Sequence, residues 1–182
     1  MKRPDFVLEI FLQPGDFHFG DAETSIRTVL GSCVAITVWH PKRLIGGMCH
    51  YMLPGGRRRD PDRLNGKYAD EAILMFLEAV KRSKTKIDDY EVKIFGGGNM
   101  FPDFVNKANS GDIGKKNVQM AKVLTDLHGF NVIAHDVGKI GHRNVIFNIW
   151  SGHVWVKHVS KVLEYQSQEQ NKINEKNKSV IG

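Results

Sequence analysis

The stretch that decides the reading is Cys33-Val34-Ala35-Ile36-Thr37-Val38-Trp39, followed by His40-Pro41-Lys42-Arg43 and then by Leu44 to Leu53. The first run is β-branched and aromatic, the last is extended and apolar, and proline stands where a type I turn accepts it. This pattern predicts a β-hairpin closed by a four-residue loop. With Trp39 facing Leu44 across that loop, Cys33 falls directly opposite His50. Directly opposed residues on one sheet face have Cβ atoms roughly 4.5–5.5 Å apart, within reach for a thiol to pass its proton to an imidazole. The hairpin thus predicts a nucleophile and a base side by side, the minimum apparatus for covalent acyl chemistry.

The second thiol does not fit that role. Cys49 adjoins His50, so on a strand the two point to opposite faces; in this register Cys49 faces Val34. A Cys33–Cys49 disulfide would join opposite sheet faces, which disulfide geometry forbids without a bulge. No C-x-x-C, H-x-x-x-H or H-E-x-x-H spacing occurs, so neither a metal nor another cofactor is expected. The competing reading makes both cysteines small buried apolar residues, and a bulge at Gly46-Gly47 would alter the register.

Composition bounds the rest. A chain of 182 residues with 41% hydrophobic and 25% charged residues reads as one globular domain, long enough to bury a core without disulfides or metals. Two cysteines suit a reducing compartment. The first twenty residues carry no signal peptide and no segment approaches a membrane span, so a cytoplasmic protein without membrane insertion is expected. The net charge of +6 is concentrated: Gly55 to Lys67 holds five basic residues, among them Arg57, Arg58 and Arg59, against two acidic ones. That segment starts on the order of 13 Å beyond His50 at ~3.3 Å per residue. It reads either as a solvated connection or as a dock for an acidic macromolecule. A pI near 9.3 raises nucleic acid as an alternative partner; no aromatic-interleaved basic stripe or nucleic-acid motif supports it.

Along the chain, Val7 to Gln13, Ser25 to Leu30, Tyr90 to Phe95, Phe130 to Asp136, Asn144 to Trp150 and His153 to His158 read as further strands. Asp70 is expected to cap a helix whose apolar face is Ile73, Leu74, Phe76, Leu77 and Val80. Asp112 is expected to cap a second, with Val118, Ala121, Leu124 and Leu127 buried and Gly129 as its stop. The domain is assigned to residues 1–163, and the Gln/Asn/Lys-rich stretch 164–182 to a disordered tail or frayed helix. Strands apolar on both faces predict a sheet covered on both sides.

Several separated motifs resemble the CheD family, the chemoreceptor glutamine deamidases of bacterial chemotaxis. They are Thr28-Val29-Leu30-Gly31-Ser32-Cys33-Val34, Gly46-Gly47-Met48-Cys49-His50-Tyr51-Met52-Leu53-Pro54, Tyr68-Ala69-Asp70, Phe95-Gly96-Gly97-Gly98-Asn99-Met100, Ile113-Gly114 with Asn117, and Asp136-Val137-Gly138 followed by Arg143. They occur in family order between about residues 7 and 157. The resemblance implies a Thr28–Cys33–His50 triad, with Thr28 orienting the imidazole; the tetrahedral intermediate of such chemistry also needs an oxyanion hole, for which the Cys33 N–H in the Gly31-Ser32 turn is the first candidate. It implies an α+β fold, a mixed β-sandwich with helices outside, similar to the catalytic domain of deamidating bacterial toxins; periodicity alone supports only mixed α and β content. The implied substrates are methyl-accepting chemotaxis receptors, whose glutamines become glutamates through a thioester, and whose methyl esters the same thiol can hydrolyse. A CheC-type phosphatase is an implied partner, and a docking module is the competing function class. The chain departs from the family pattern at Lys139 and His142, where glycines are usual. Gly96 to Gly98 lacks the G-x-x-x-x-G-K-[ST] context of a phosphate cradle and reads as turn geometry or a channel lining. His135, His142, His153 and His158 read as surface or packing residues.

Overall fold

The computed structural model describes residues 2–55, 60, 63–100 and 113–160. Nine strands and two helices occur among them: β1 (Leu8–Phe11), β2 (Phe17–Gly20), β3 (Thr24–Leu30), β4 (Val34–His40), β5 (Ile45–Tyr51), α1 (Ala69–Arg82), β6 (Glu91–Gly96), α2 (Ile113–Leu127), β7 (Asn131–Val137), β8 (His142–Asn148) and β9 (His153–Val159). One sheet runs β1-β3-β8-β9 and the other β2-β5-β4-β6-β7. The pairs β1–β3 and β6–β7 are parallel and the others antiparallel. The fold is α+β, with both sheets mixed.

Apolar alternation explains the layering. Ile26 and Leu30 of β3 with Val145 and Phe147 of β8 meet Ala35, Trp39 and Met48 of the second sheet in one core. The opposite face of that second sheet, Val34, Ile36, Val38 and Cys49, packs on Ile73 and Phe76 of α1 and Ala121 of α2. Strand β4 therefore lies between two cores, and all seven of its residues are buried. The two-sided apolar run predicted from the sequence marks this strand.

The hairpin register differs from the expected one. His40 pairs with Ile45 and Ala35 with His50, so Cys33 stands two residues beyond direct opposition. The loop is Pro41-Lys42-Arg43-Leu44, one residue later than predicted. Two contacts explain the shift. The His40 ring packs edge-on against Tyr90 at 5.1 Å, which keeps it in the strand. Leu44 takes a left-handed φ of 52° and donates its N–H to the His40 carbonyl, closing the loop there. Cys49 accordingly faces Ile36 rather than Val34. The ladder passes through Gly46 and Gly47 without a bulge, because backbone lies close on both sides: a Cβ at Gly46 would strike the Val38 carbonyl and one at Gly47 the His18 carbonyl.

Helix ends also depart from expectation. Tyr68, with no side-chain capping bond, is the N-cap of α1; Asp70 lies inside the first turn, where its carboxylate accepts the Glu71 N–H at 3.0 Å. Ile73, Phe76 and Val80 are buried as expected. Asp112 lies outside the described residues. The buried seam of α2 is Gly114, Asn117, Ala121 and Thr125, whereas Leu127 is 71% exposed. The Gly96 to Gly98 run sits beside that seam: a Cβ on Gly97 would meet Val118 and the Gly114 carbonyl.

Candidate active site

His50 is held on the inner face of β5. Its carbonyl accepts the Gly15 N–H at 2.7 Å and its N–H donates to the Asp16 carbonyl at 3.0 Å. The Pro14-Gly15-Asp16 turn thus extends the β2 pairing onto this residue. The ring, only 2% exposed, faces the other sheet. There Thr28 of β3 places its Oγ1 2.7 Å from His50 Nδ1 and donates to the Leu12 carbonyl at 2.8 Å. A hydroxyl has one proton, and a carbonyl can only accept. With that proton committed to Leu12, Thr28 accepts from Nδ1–H, and the neutral ring carries its free lone pair on Nε2. That nitrogen is buried and has no hydrogen-bond partner. Burial pulls the His50 pKa below 6.5, against the Leu12 carbonyl and the Asp16 charge. The imidazole is therefore neutral at pH 7, a base with a vacant acceptor.

Cys33 is half-buried and lies on the same sheet face as His50, in contact with the sandwich core. β4 begins at Val34, so Cys33 stands just outside the ladder, two positions before Ala35, the residue paired with His50. Burial pushes the thiol up from 9.0, opposed by a hydrogen bond from its own backbone N–H. The resting pair is thus a thiol and a neutral imidazole. Cys49 points into the other core, fully buried, with its thiol pushed up to about 12.

The Gly31-Ser32-Cys33 turn runs alongside the glycine run. Gly97 N–H donates to the Cys33 carbonyl at 2.7 Å and Gly98 N–H to the Gly31 carbonyl at 2.8 Å. Gly96 and Gly97 have φ of 107° and 64°, and a Cβ at Gly96 would collide with the Cys33 carbonyl oxygen. Close backbone approach, the turn-geometry reading, accounts for these glycines.

Two residues carry interactions that sequence reasoning did not assign. Asn117 of α2 is fully buried and donates its side-chain amide to the Ser32 and Met52 carbonyls, at 3.0 and 2.8 Å. Arg143 of β8, also fully buried, donates Nη2 to Asp136 Oδ1 at 3.1 Å and to the Gly138 carbonyl at 2.7 Å, leaving Nε and Nη1 unpaired. Burial works against the Asp136 carboxylate, yet the bond and charge of Arg143, with Lys139, hold it below its ordinary range. Their only sequence signal is membership in the quoted motifs. Lys139 has a left-handed φ of 63°, which gives the physical reason for glycine there; His142 opens β8. Arg57, Arg58 and Arg59 lie outside the described residues, as does the segment 164–182. No described helix is long and apolar enough to cross a membrane.

Comparison with known proteins agrees with the motifs. A family model described as CheD chemotactic sensory transduction matches residues 52–158. A probable chemoreceptor glutamine deamidase CheD of Pseudomonas fluorescens is 46% identical over 158 residues, covering 87% of this chain and 89% of that protein. Its namesake in Pseudomonas savastanoi pv. phaseolicola is 47% identical with the same coverage. A probable chemoreceptor glutamine deamidase CheD 1 of Leptospira interrogans is 39% identical over 85% of this chain and 95% of its own length. Coverage of 87% leaves too few residues outside the alignment to miss Thr28, Cys33 or His50. By model and by relatives alike, the chain belongs to the CheD family.

Proposed function

We propose that this protein is a chemoreceptor glutamine deamidase in which Cys33 is the nucleophile, His50 the proton carrier and Thr28 the residue that fixes the imidazole. The observation that carries this reading is the Leu12–Thr28–His50 chain of hydrogen bonds, which leaves a basic Nε2 buried and unpaired on the sheet face that also bears Cys33. Relatives of high coverage named as chemoreceptor glutamine deamidases supply the substrate class.

The chemistry follows from the protonation states. A carboxamide resists water, and its nitrogen leaves only when protonated. As Cys33 Sγ attacks the glutamine carbonyl carbon, His50 Nε2 takes the thiol proton, and the carbonyl oxygen gathers negative charge. His50 then returns the proton to the nitrogen, the C–N bond breaks, and ammonia departs from a thioester. Water, deprotonated by His50, attacks the thioester; the C–S bond breaks and glutamate is released with the thiol regenerated. The oxyanion needs a fixed donor, and the Cys33 N–H in the Gly31-Ser32 turn is the one this reading assigns. A receptor methyl ester would pass through the same thioester with methanol leaving. Family membership extends the proposal to a CheC-type phosphatase as partner, and the charge of Arg57, Arg58 and Arg59 to docking of an acidic receptor surface.

The test is mass spectrometry of a chemoreceptor cytoplasmic fragment incubated with wild-type or Cys33→Ala protein. A one-dalton gain at specific glutamines with the first and not the second is expected. Equal gains with both would overturn the assignment of Cys33, and a gain with neither would overturn the activity.

A further inference from the structure

We propose that Asn117 is a positioning residue for the oxyanion donor, an inference that rests on Cys33 being the nucleophile. Its amide can sit only one way round: both neighbours at its Nδ2 are backbone carbonyls, which accept and never donate. One of them is the Ser32 carbonyl. That C=O and the Cys33 N–H belong to one planar trans peptide and point in opposite directions. Drawing the carbonyl toward α2 therefore turns the N–H away from the helix, the direction this proposal assigns to the oxyanion.

The second carbonyl, that of Met52, lies two residues past His50, just beyond the end of β5. One amide thus clamps the turn that carries the thiol to the end of the strand that carries the imidazole. The clamp is itself anchored, because Tyr51 donates its hydroxyl to the Asn117 carbonyl at 2.7 Å. Burial pushes that phenol well above its ordinary value, so it remains a donor. Asn117 Oδ1, by contrast, is buried with no partner. An unpaired buried acceptor is destabilising, and a leucine of the same shape would avoid that cost. Retaining the amide is explained by what its nitrogen holds in place.

The experiment compares Asn117→Leu, Asn117→Ala and, as a packing control on the same helix, Thr125→Ala. The substrate is the receptor fragment. Three quantities are read: steady-state constants, the rate of Cys33 alkylation by iodoacetamide, and inhibition by a peptide carrying an aldehyde in place of the glutamine carboxamide. Loss of an oxyanion donor lowers kcat by about 10²–10³, so a misaligned one is expected to lower it roughly 10–100-fold, with KM within about two-fold. Aldehyde inhibition should weaken by the same factor as kcat, since its thiohemiacetal oxygen needs the same donor, while alkylation stays within about three-fold of wild type. The alanine variant carries the same expectation if the leucine variant fails to fold. A kcat loss no larger than that of Thr125→Ala would overturn the proposal, as would an equal slowing of alkylation, which indicates a displaced thiol. Cys33→Ala, run in parallel, separates the two levels: turnover without the thiol removes the nucleophile assignment, whereas turnover lost with Cys33 yet kept without Asn117 removes only this inference.

Discussion

Thr28 stands in one sheet and His50 in the other, and the 2.7 Å bond between their side chains is a polar tie across the interior of the sandwich. Thr28→Val keeps the shape and removes the tie, leaving Nδ1–H facing a methyl group. The unpaired donor should destabilise the domain by about 1–3 kcal/mol. Loss of the fixed tautomer should lower kcat by roughly 10–100-fold, part of what a general base contributes. Thr28→Ser restores the hydroxyl and is expected near wild type. Ammonia release and thermal melts on the three proteins check both halves; a valine variant of full activity removes Thr28 from the mechanism.

The pH dependence follows from the directions of the two shifts. Burial lowers His50 below 6.5 and raises Cys33 above 9.0. The acid limb of kcat/KM should therefore fall below pH 6.5, with a plateau through pH 7–8 and no thiolate–imidazolium pair at rest. The same burial links to stability. Unfolded His50 binds a proton near pH 6.5 and the folded ring resists it, so the folded state loses stability as pH falls from 6.5 through the depressed folded value and changes little from this group below it. His50→Gln should flatten that slope in urea titrations. An acid limb above pH 7 would contradict the assignment.

Cysteine labelling separates the two thiols. Native protein at pH 8 should take up one iodoacetamide label, at Cys33, at a rate still climbing toward pH 9. Cys49, fully buried with its thiol pushed up to about 12, should react only on unfolding. Cys49→Ala should remain active with a stability loss on the order of 1 kcal/mol. Peptide mapping after labelling decides between the two sites.

Lys139 offers a gain in stability. A side chain in the left-handed region costs roughly 1–2 kcal/mol, offset by ~0.4–1 kcal/mol for the extra freedom of unfolded glycine. The Lys139–Asp136 ion pair, at 3.7 Å with the lysine 66% exposed, contributes little. Lys139→Gly is expected to raise stability by about 0.5–1 kcal/mol and Tm by roughly 1–4 °C. A lowered Tm would show that the side chain supports the turn.

The basic segment gives a prediction from charge alone. Reversing Arg57, Arg58 and Arg59 to glutamate should raise KM for a receptor fragment and remove most of its salt dependence, with kcat little changed, because long-range charge acts on encounter and is screened over ~8 Å at physiological salt. Steady-state series at low and high salt test this; an unmoved KM returns the segment to a solvated connection.

The hairpin, most of the strands and the bodies of both helices were legible because each writes its own periodicity. The register was not, since it depends on His40 packing against Tyr90, fifty residues away in sequence. Strand β2 was missed: it has four residues and follows a Pro-Gly-Asp turn that reads as an ending. The seam of α2 escaped because it is built from Gly114, Asn117 and Thr125, which hydrophobic patterning passes over in favour of the exposed Leu127. Cys33 and His50 could be placed on one face because the two registers differ by two residues, and side-chain direction repeats every two. Their threonine neighbour lies on another sheet, so no local pattern could bring it there; only the family motif pointed to it.

Strand β3, which carries Thr28, is paired along six positions with β8, and Thr28 itself faces Val145. A chain emerging from the ribosome therefore exposes residues 28, 33 and 50 early but cannot seat the first of them until almost the whole domain has left the exit tunnel. Contacts this distant in sequence close late in folding. Until they do, His50 Nδ1 lacks the partner that ties the two sheets together.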